Sequence, residues 1–115
     1  MFDAMMVQMG YVVLRPSSTY SVYDRVVDIN GEFVRFQIKS LNTDVSGKTW
    51  AKVKTITSNN IKYDVLDVDY IAIYVSTLNS WYFHKNKGKT TVFVSFRNLN
   101  NFVECLGIKN STASP

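Results

Sequence analysis

Tyr23-Asp24-Arg25-Val26-Val27-Asp28-Ile29, Asn30-Gly31, Glu32-Phe33-Val34-Arg35-Phe36-Gln37-Ile38-Lys39-Ser40 is the stretch that decides the fold. Two runs rich in β-branched and aromatic residues flank a two-residue Asn-Gly loop, the strongest short-range signal for a β-hairpin. In the second run Val34, Phe36 and Ile38 point one way, and Arg35, Gln37 and Lys39 the other. One face therefore enters a core while the other carries three polar groups in a row. Asp24 lies on the first strand, 13 and 15 residues before Gln37 and Lys39, and antiparallel pairing brings it close to both. Two readings stay open at this point. A carboxylate and an amide oxygen are hard ligands of the kind Mg²⁺ accepts, beside a lysine able to orient water and offset charge on a phosphate. Equally, Asp24 and Lys39 form a surface salt bridge worth at most about 1 kcal/mol.

Outward from the hairpin, Met1 to Met9 predicts a short helix ending at Gly10, and Tyr11-Val12-Val13-Leu14 a brief strand closed by Arg15-Pro16. Beyond the hairpin, Asn42 to Lys48 reads as a loop. Trp50 to Ile56 reads as a strand with Lys52 and Lys54 on one face, and Thr57 to Lys62 as polar and irregular. Val68 to Ser76 is almost wholly apolar, as a central strand buried on both faces must be. Ser80 to His84 and Thr90 to Ser95 predict two more strands around the basic turn Lys85-Asn86-Lys87-Gly88-Lys89. Arg97 to Leu106 predicts a closing helix, with Leu99, Phe102, Val103 and Leu106 at helical spacing. Residues 1–109 read as a single domain and 110–115 as a loose tail.

The chain has 115 residues, 46% of them apolar, which allows one domain and excludes disorder as its dominant state. The longest apolar run is Tyr70 to Val75, far short of the roughly twenty residues of a membrane helix. A lone Cys105 precludes an internal disulfide and fits a reducing, cytoplasmic setting. One histidine, His84, leaves no marked nucleophile–histidine pair, and with Cys105 falls short of a zinc site's ligands. No Gly-rich phosphate loop is present. Carboxylate, amide and lysine chemistry remain. Residues 1–70 balance eight basic against eight acidic groups, whereas residues 71–115 hold five basic groups against Glu104 alone, the source of the net +4. That excess makes Lys85, Lys87 and Lys89 candidates for nucleic-acid phosphates, and Lys52 and Lys54, together on one strand face, join them. Trp81-Tyr82-Phe83 ahead of the lysine turn also suggests a stacking surface for single strands.

Asp24, the hairpin and Gln37-Ile38-Lys39 together resemble the PD-(D/E)xK nuclease signature, with Tyr23 for its Pro and Gln37 for its second acid. Gly10-Tyr11-Val12-Val13, Arg15-Pro16, Tyr23 to Asp28, Val68 to Tyr74 and Trp81-Tyr82-Phe83 extend the similarity over residues 4–85. In order and spacing they resemble the branch of group I intron-encoded homing endonucleases and related phage and bacterial endonuclease domains. Archaeal Holliday-junction resolvases are more distant relatives. The resemblance implies a restriction-endonuclease-like α/β core, a mixed central sheet flanked by helices. It implies a metal-dependent DNA endonuclease using Mg²⁺ or Mn²⁺, held by Asp24, Gln37 and the Ile38 carbonyl, with Lys39 as the catalytic lysine. Asp28 follows the strand period of Asp24 and is expected to serve the turn. Family members carry a first-helix Glu farther ahead of the glycine matched by Gly10. Here Asp3 is the acid available, so it substitutes as a metal ligand, the sequence starts within the helix, or activity is reduced. Double-stranded DNA is the expected partner, and cutting two strands implies a homo-oligomer, a dimer or tetramer. The alternatives are a catalytically impaired nuclease fold that binds nucleic acid without cutting, and a non-enzymatic β-rich interaction domain.

Overall fold

The computed structural model describes residues 1–17, 23–55 and 67–108. Its elements are α1 (Phe2–Gln8), β1 (Val12–Leu14), β2 (Arg25–Ile29), β3 (Glu32–Leu41), β4 (Trp50–Lys54), β5 (Tyr70–Val75), a 3₁₀ turn (Ser76–Leu78), β6 (Ser80–Lys85), β7 (Thr91–Ser95) and α2 (Phe102–Leu106). The hairpin forms as the sequence predicts. Asn30 and Gly31 both take positive φ, 54° and 92°, matching the twist of the flanking strands. The turn sets Ile29 opposite Glu32 and Arg25 opposite Phe36. Asp28 serves this turn, its Oδ1 accepting from the Gly31 N–H at 2.9 Å.

The main sheet runs β1-β2-β3-β5-β6. All its neighbours are antiparallel except β3 and β5, which are parallel, with Gln37 opposite Ile71 and Lys39 opposite Ile73. The sheet is therefore mixed, and β5 is an interior strand between β3 and β6, as its apolar run requires; Ile71, Ala72, Ile73 and Val75 are buried. The β3–β5 crossover carries β4, which pairs with β7 in a separate two-stranded ribbon. The predicted strand around Trp50 is confirmed as far as Lys54. Ile56, the Thr57 to Lys62 segment and the 110–115 tail lie outside the described residues.

Alternation in β3 and β5 divides the interior in two. On one side Phe36, Val27, Ile29, Ala72, Trp81 and Phe83 pack with Phe2 and Met6 of α1 and Phe102 of α2. Phe36 sits at the middle, wholly buried, with ring centroids 5.2 Å from Phe2 and 6.2 Å from Phe83. On the other side Ile71, Ile73 and Val75 meet Val53, Val92 and Val94 of the ribbon. Trp81 and Phe83 are 7% and 1% exposed, so the single-strand stacking surface expected from them is not available; these rings are core.

The C-terminal helix is shorter than its apolar spacing predicts. Asn100 and Asn101 take backbone partners instead. Asn101 accepts from the Phe83 N–H at 2.8 Å and donates to the Phe83 carbonyl at 3.0 Å, while the Asn100 side chain accepts from the Trp81 N–H at 3.1 Å. Both asparagines so act as a substitute strand on the open edge of β6. Asn100 adopts φ 58°, which no helix continues through, and α2 begins only at Phe102. Leu99 consequently packs in the second core, and Val103 is exposed.

Candidate active site

β2 begins at Arg25, one residue after Asp24, so Asp24 stands at the mouth of the strand rather than inside it. Its N–H donates to the Phe36 carbonyl at 2.8 Å, although Phe36 is also the register partner of Arg25. Two residues thus oppose one, the pattern of a β-bulge, which re-aims the side chain. The Asp24 carboxylate turns to the β3 backbone, and Oδ2 accepts from the Ile38 N–H at 2.8 Å. That peptide lies between Gln37 and Lys39. Strand alternation turns the Ile38 carbonyl toward the same gap, past the end of β2. One Asp24 oxygen holds a backbone bond and the carboxylate still has lone pairs to offer.

Gln37 and Lys39 are half-buried and share one face of β3, beside Ile71 and Ile73. Among the described residues no three His, Cys, Asp or Glu side chains gather as a metal cluster. A divalent ion here would have one carboxylate, one amide oxygen, one carbonyl and waters. That all-oxygen set suits Mg²⁺ or Mn²⁺ and is unsuited to softer metals.

Asp3 is placed differently. It belongs to α1, which packs on the opposite face, and its carboxylate accepts from Arg25 Nε at 2.9 Å and Arg15 Nη2 at 2.9 Å. Burial pushes the Asp3 carboxyl up, but hydrogen bonds from Arg25 and then Arg15 outweigh it and hold it below the ordinary range. A cation would compete there with two guanidinium groups. Arg25 also donates from Nη1 to the Asp24 carbonyl at 2.7 Å, linking this ion pair to the mouth of β2. Asp3, Arg25, Lys39 and Ser40 border an open hollow of about 290 Å³ beside α1. Arg25 is the residue that sequence reasoning missed. Its signal was present: it alternates with Val27 and Ile29, a lone charge on the apolar side of β2.

A family model described as PD-(D/E)XK endonuclease matches residues 3–102. The chain belongs to the PD-(D/E)XK endonuclease family. Its fold is similar to that of a solved bacterial homing endonuclease, with a TM-score of 0.68 and 17% identity over 96% of this chain and 86% of that one. No curated protein sequence matches. The mixed sheet with few helices is the restriction-endonuclease-like architecture that the resemblance implied. The family makes the chain a nuclease by descent, and families of this kind use divalent metals on DNA. No helix among the described residues is long and apolar enough to cross a membrane.

The basic candidates fall into two groups. Lys52 and Lys54 are exposed on β4, whereas Lys85, Lys87 and Lys89 are exposed at the end of β6 and along the turn after it. His84, just before that turn, is half-buried. Burial, and then the charges of Lys87 and Lys89, push its imidazole below the ordinary range, so it is held neutral among these cations.

Proposed function

We propose that the protein is a metal-dependent endonuclease that hydrolyses phosphodiesters in duplex DNA. The observation that carries this reading is the bond from the Ile38 N–H to Asp24 Oδ2, which sets a carboxylate against the peptide between Gln37 and Lys39. Asp24, Gln37 and the Ile38 carbonyl are the residues that would hold Mg²⁺ or Mn²⁺. When bound, the ion supplies Lewis-acid polarisation of the scissile phosphate and a more acidic water. Lys39 directs its ammonium at the attacking water and at the phosphoryl oxygens, where negative charge grows as the new P–O bond forms. The attacking water gives up a proton to solvent as the new bond forms, and the old P–O bond breaks with its electron pair leaving on the deoxyribose oxygen, which takes up a proton from solvent. Gln37 orients the water through its amide or completes the oxygen shell, and its neutrality leaves Asp24 the one fixed negative charge. Asp3, tied to two arginines, enters this scheme as a ligand only if that pair opens. Lys52, Lys54, Lys85, Lys87 and Lys89 neutralise DNA phosphates and make binding steep in salt. Two copies, in a dimer or a tetramer, present one site to each strand.

Nicking of supercoiled plasmid tests the reading. Wild-type protein with Mg²⁺ should convert plasmid to open circles, EDTA should stop it, and Lys39→Ala should lower the rate at least about a hundredfold, the scale of a lost charge-stabilising group. Salt-sensitive binding with no nicking under any divalent metal would leave a binding protein on a nuclease fold.

A further inference from the structure

Apart from Lys52 and Lys54, the outward face of the β4–β7 ribbon takes no part in the function above. Register sets Trp50 opposite Ser95, Lys52 opposite Phe93 and Lys54 opposite Thr91, while Val53, Val92 and Val94 turn inward. Trp50 and Phe93 are 52% and 55% exposed, yet their rings meet edge-on with centroids 5.3 Å apart. Lys52 Nζ lies 5.8 Å from the centre of the Phe93 ring. Neither strand contains an acidic residue, and Lys89 shares an open hollow with Phe93 at the ribbon's end. A single exposed apolar residue is ordinary. Two large rings in contact, set among lysines and hydroxyls with no acid, match a partner that is anionic and has apolar spots.

We infer that this face enters the major groove of duplex DNA and reads base edges there. The inference rests on the DNA-cleaving reading and adds to it the element that selects sequence. Width fits: the major groove, about 12 Å across, admits a two-stranded ribbon. Height fits as well. The ribbon packs on Ile71, Ile73 and Val75, whose register partners include Gln37 and Lys39, so it stands over the face that carries the catalytic side chains. Packed sheets lie about 10 Å apart, and the groove is about 8.5 Å deep. A ribbon seated on the base edges therefore brings the flanking phosphates down to the level of Gln37 and Lys39. The chemistry fits third. Lys52 and Lys54 hold the phosphates along the groove, the Thr91 and Ser95 hydroxyls bond to either partner type at base edges, and Trp50 and Phe93 lie against thymine methyl groups.

The experiment uses the full chain and a duplex pool with a random central segment. Wild type should enrich a defined set of sequences. Trp50→Ala combined with Phe93→Ala should keep low-salt affinity for unselected duplex within about threefold, since its lysines remain, and should lose about tenfold or more of the preference for the enriched set. Thermal melting checks that the variant is folded. A second readout needs no substitution. Trp81 is buried, so acrylamide quenches chiefly Trp50, and duplex DNA should shield that emission where an equal length of single strand does not. Unchanged preference in the variant, or no shielding by duplex, overturns the inference. Shielding by single strands assigns the face to base stacking, and concentration-dependent shielding without DNA assigns it to a second copy; either result also overturns it. A wild type that binds and cuts DNA but ignores the substitution removes this inference alone, whereas a wild type that binds no DNA removes the nuclease reading with it.

Discussion

In the proposed mechanism Asp24 has a catalytic job beside its structural one, and substitution separates the two. Its Oδ2 accepts from the Ile38 N–H at 2.8 Å in a half-buried setting. Hydrogen bonds to a charged acceptor contribute about 1.5–3 kcal/mol and neutral ones about 0.5–1.5. Asp24→Asn keeps an acceptor of the same shape and should cost about 1 kcal/mol, the difference between the two. Asp24→Ala leaves the N–H to water and should cost about 2 kcal/mol. At roughly 4 °C per kcal/mol for a domain of this size, the expected falls in Tm are about 4 and 8 °C. The bond from Arg25 Nη1 to the Asp24 backbone carbonyl survives both changes and keeps the mouth of β2 in place. Cleavage should respond quite differently. Both variants lose the one carboxylate of the oxygen set, and both should fall at least about a hundredfold in single-turnover nicking with Mg²⁺, with Asn no better than Ala. Thermal melts followed by circular dichroism give the stability arm, and plasmid nicking gives the activity arm. An Asp24→Asn protein that melts as predicted yet cuts within about threefold of wild type would refute the reasoning. Asp24 would then be a scaffold for β3 and nothing more.

Phe36→Ala empties the centre of the first core, where the ring is wholly buried between Phe2 and Phe83; the expected loss is about 3–5 kcal/mol, read from urea midpoints. Asn101→Ala removes both bonds to the Phe83 peptide and uncovers the β6 edge, and should cost about 1–3 kcal/mol, whereas Leu106→Met should change melting little. Burial pushes the Asp69 carboxyl up, but hydrogen bonds from Arg35 outweigh it and hold it below the ordinary range. A lowered native pKa stabilises the fold above the unfolded value, near 3.8, and that contribution is lost as pH falls through the native one. Melting temperature should therefore drop on acidification below about pH 4, less steeply in Asp69→Asn.

The hairpin, and the placement of Asp24 beside Gln37 to Lys39, were legible because a two-residue turn leaves no freedom of register. Once Asn30 and Gly31 are the loop, Ile29 must face Glu32, and the mouth of the first strand must fall beside Phe36 to Ile38. The lesser detail, that Asp24 sits on a bulge and turns its carboxylate into the backbone, depends on how the chain enters β2 and has no pattern of its own. Long-range partners were not legible. Trp50 to Lys54 and Thr91 to Ser95 each alternate as strands, yet nothing in either run names the other as its neighbour, and their pairing is settled by the shared burial of Val53, Val92 and Val94. The predicted helix over Arg97 to Leu106 failed for a different reason. Apolar spacing was right, but two consecutive asparagines found better partners in the edge of β6 than in a helix.

Gln37 and Lys39 depart from the apolar pattern of the strand beside them. Beside Gln37 and Lys39 in the sheet stand Ile71 and Ile73, both essentially inaccessible to water and packed against the ribbon. Packing on that face would favour an apolar residue at the half-buried positions 37 and 39, each adding about 1 kcal/mol of burial. The chain instead places an amide and an ammonium there and forgoes that stabilisation. Arg35, next in the same row, has a structural reason, since its guanidinium grips Asp69 at the start of β5. The Ile38 N–H likewise has a partner in Asp24, but that bond needs only an acceptor and does not require the two polar side chains on either side. Gln37 and Lys39 stand on either side of that bond, on the face shared with Ile71 and Ile73, and the proposed chemistry at a phosphate gives both a use there.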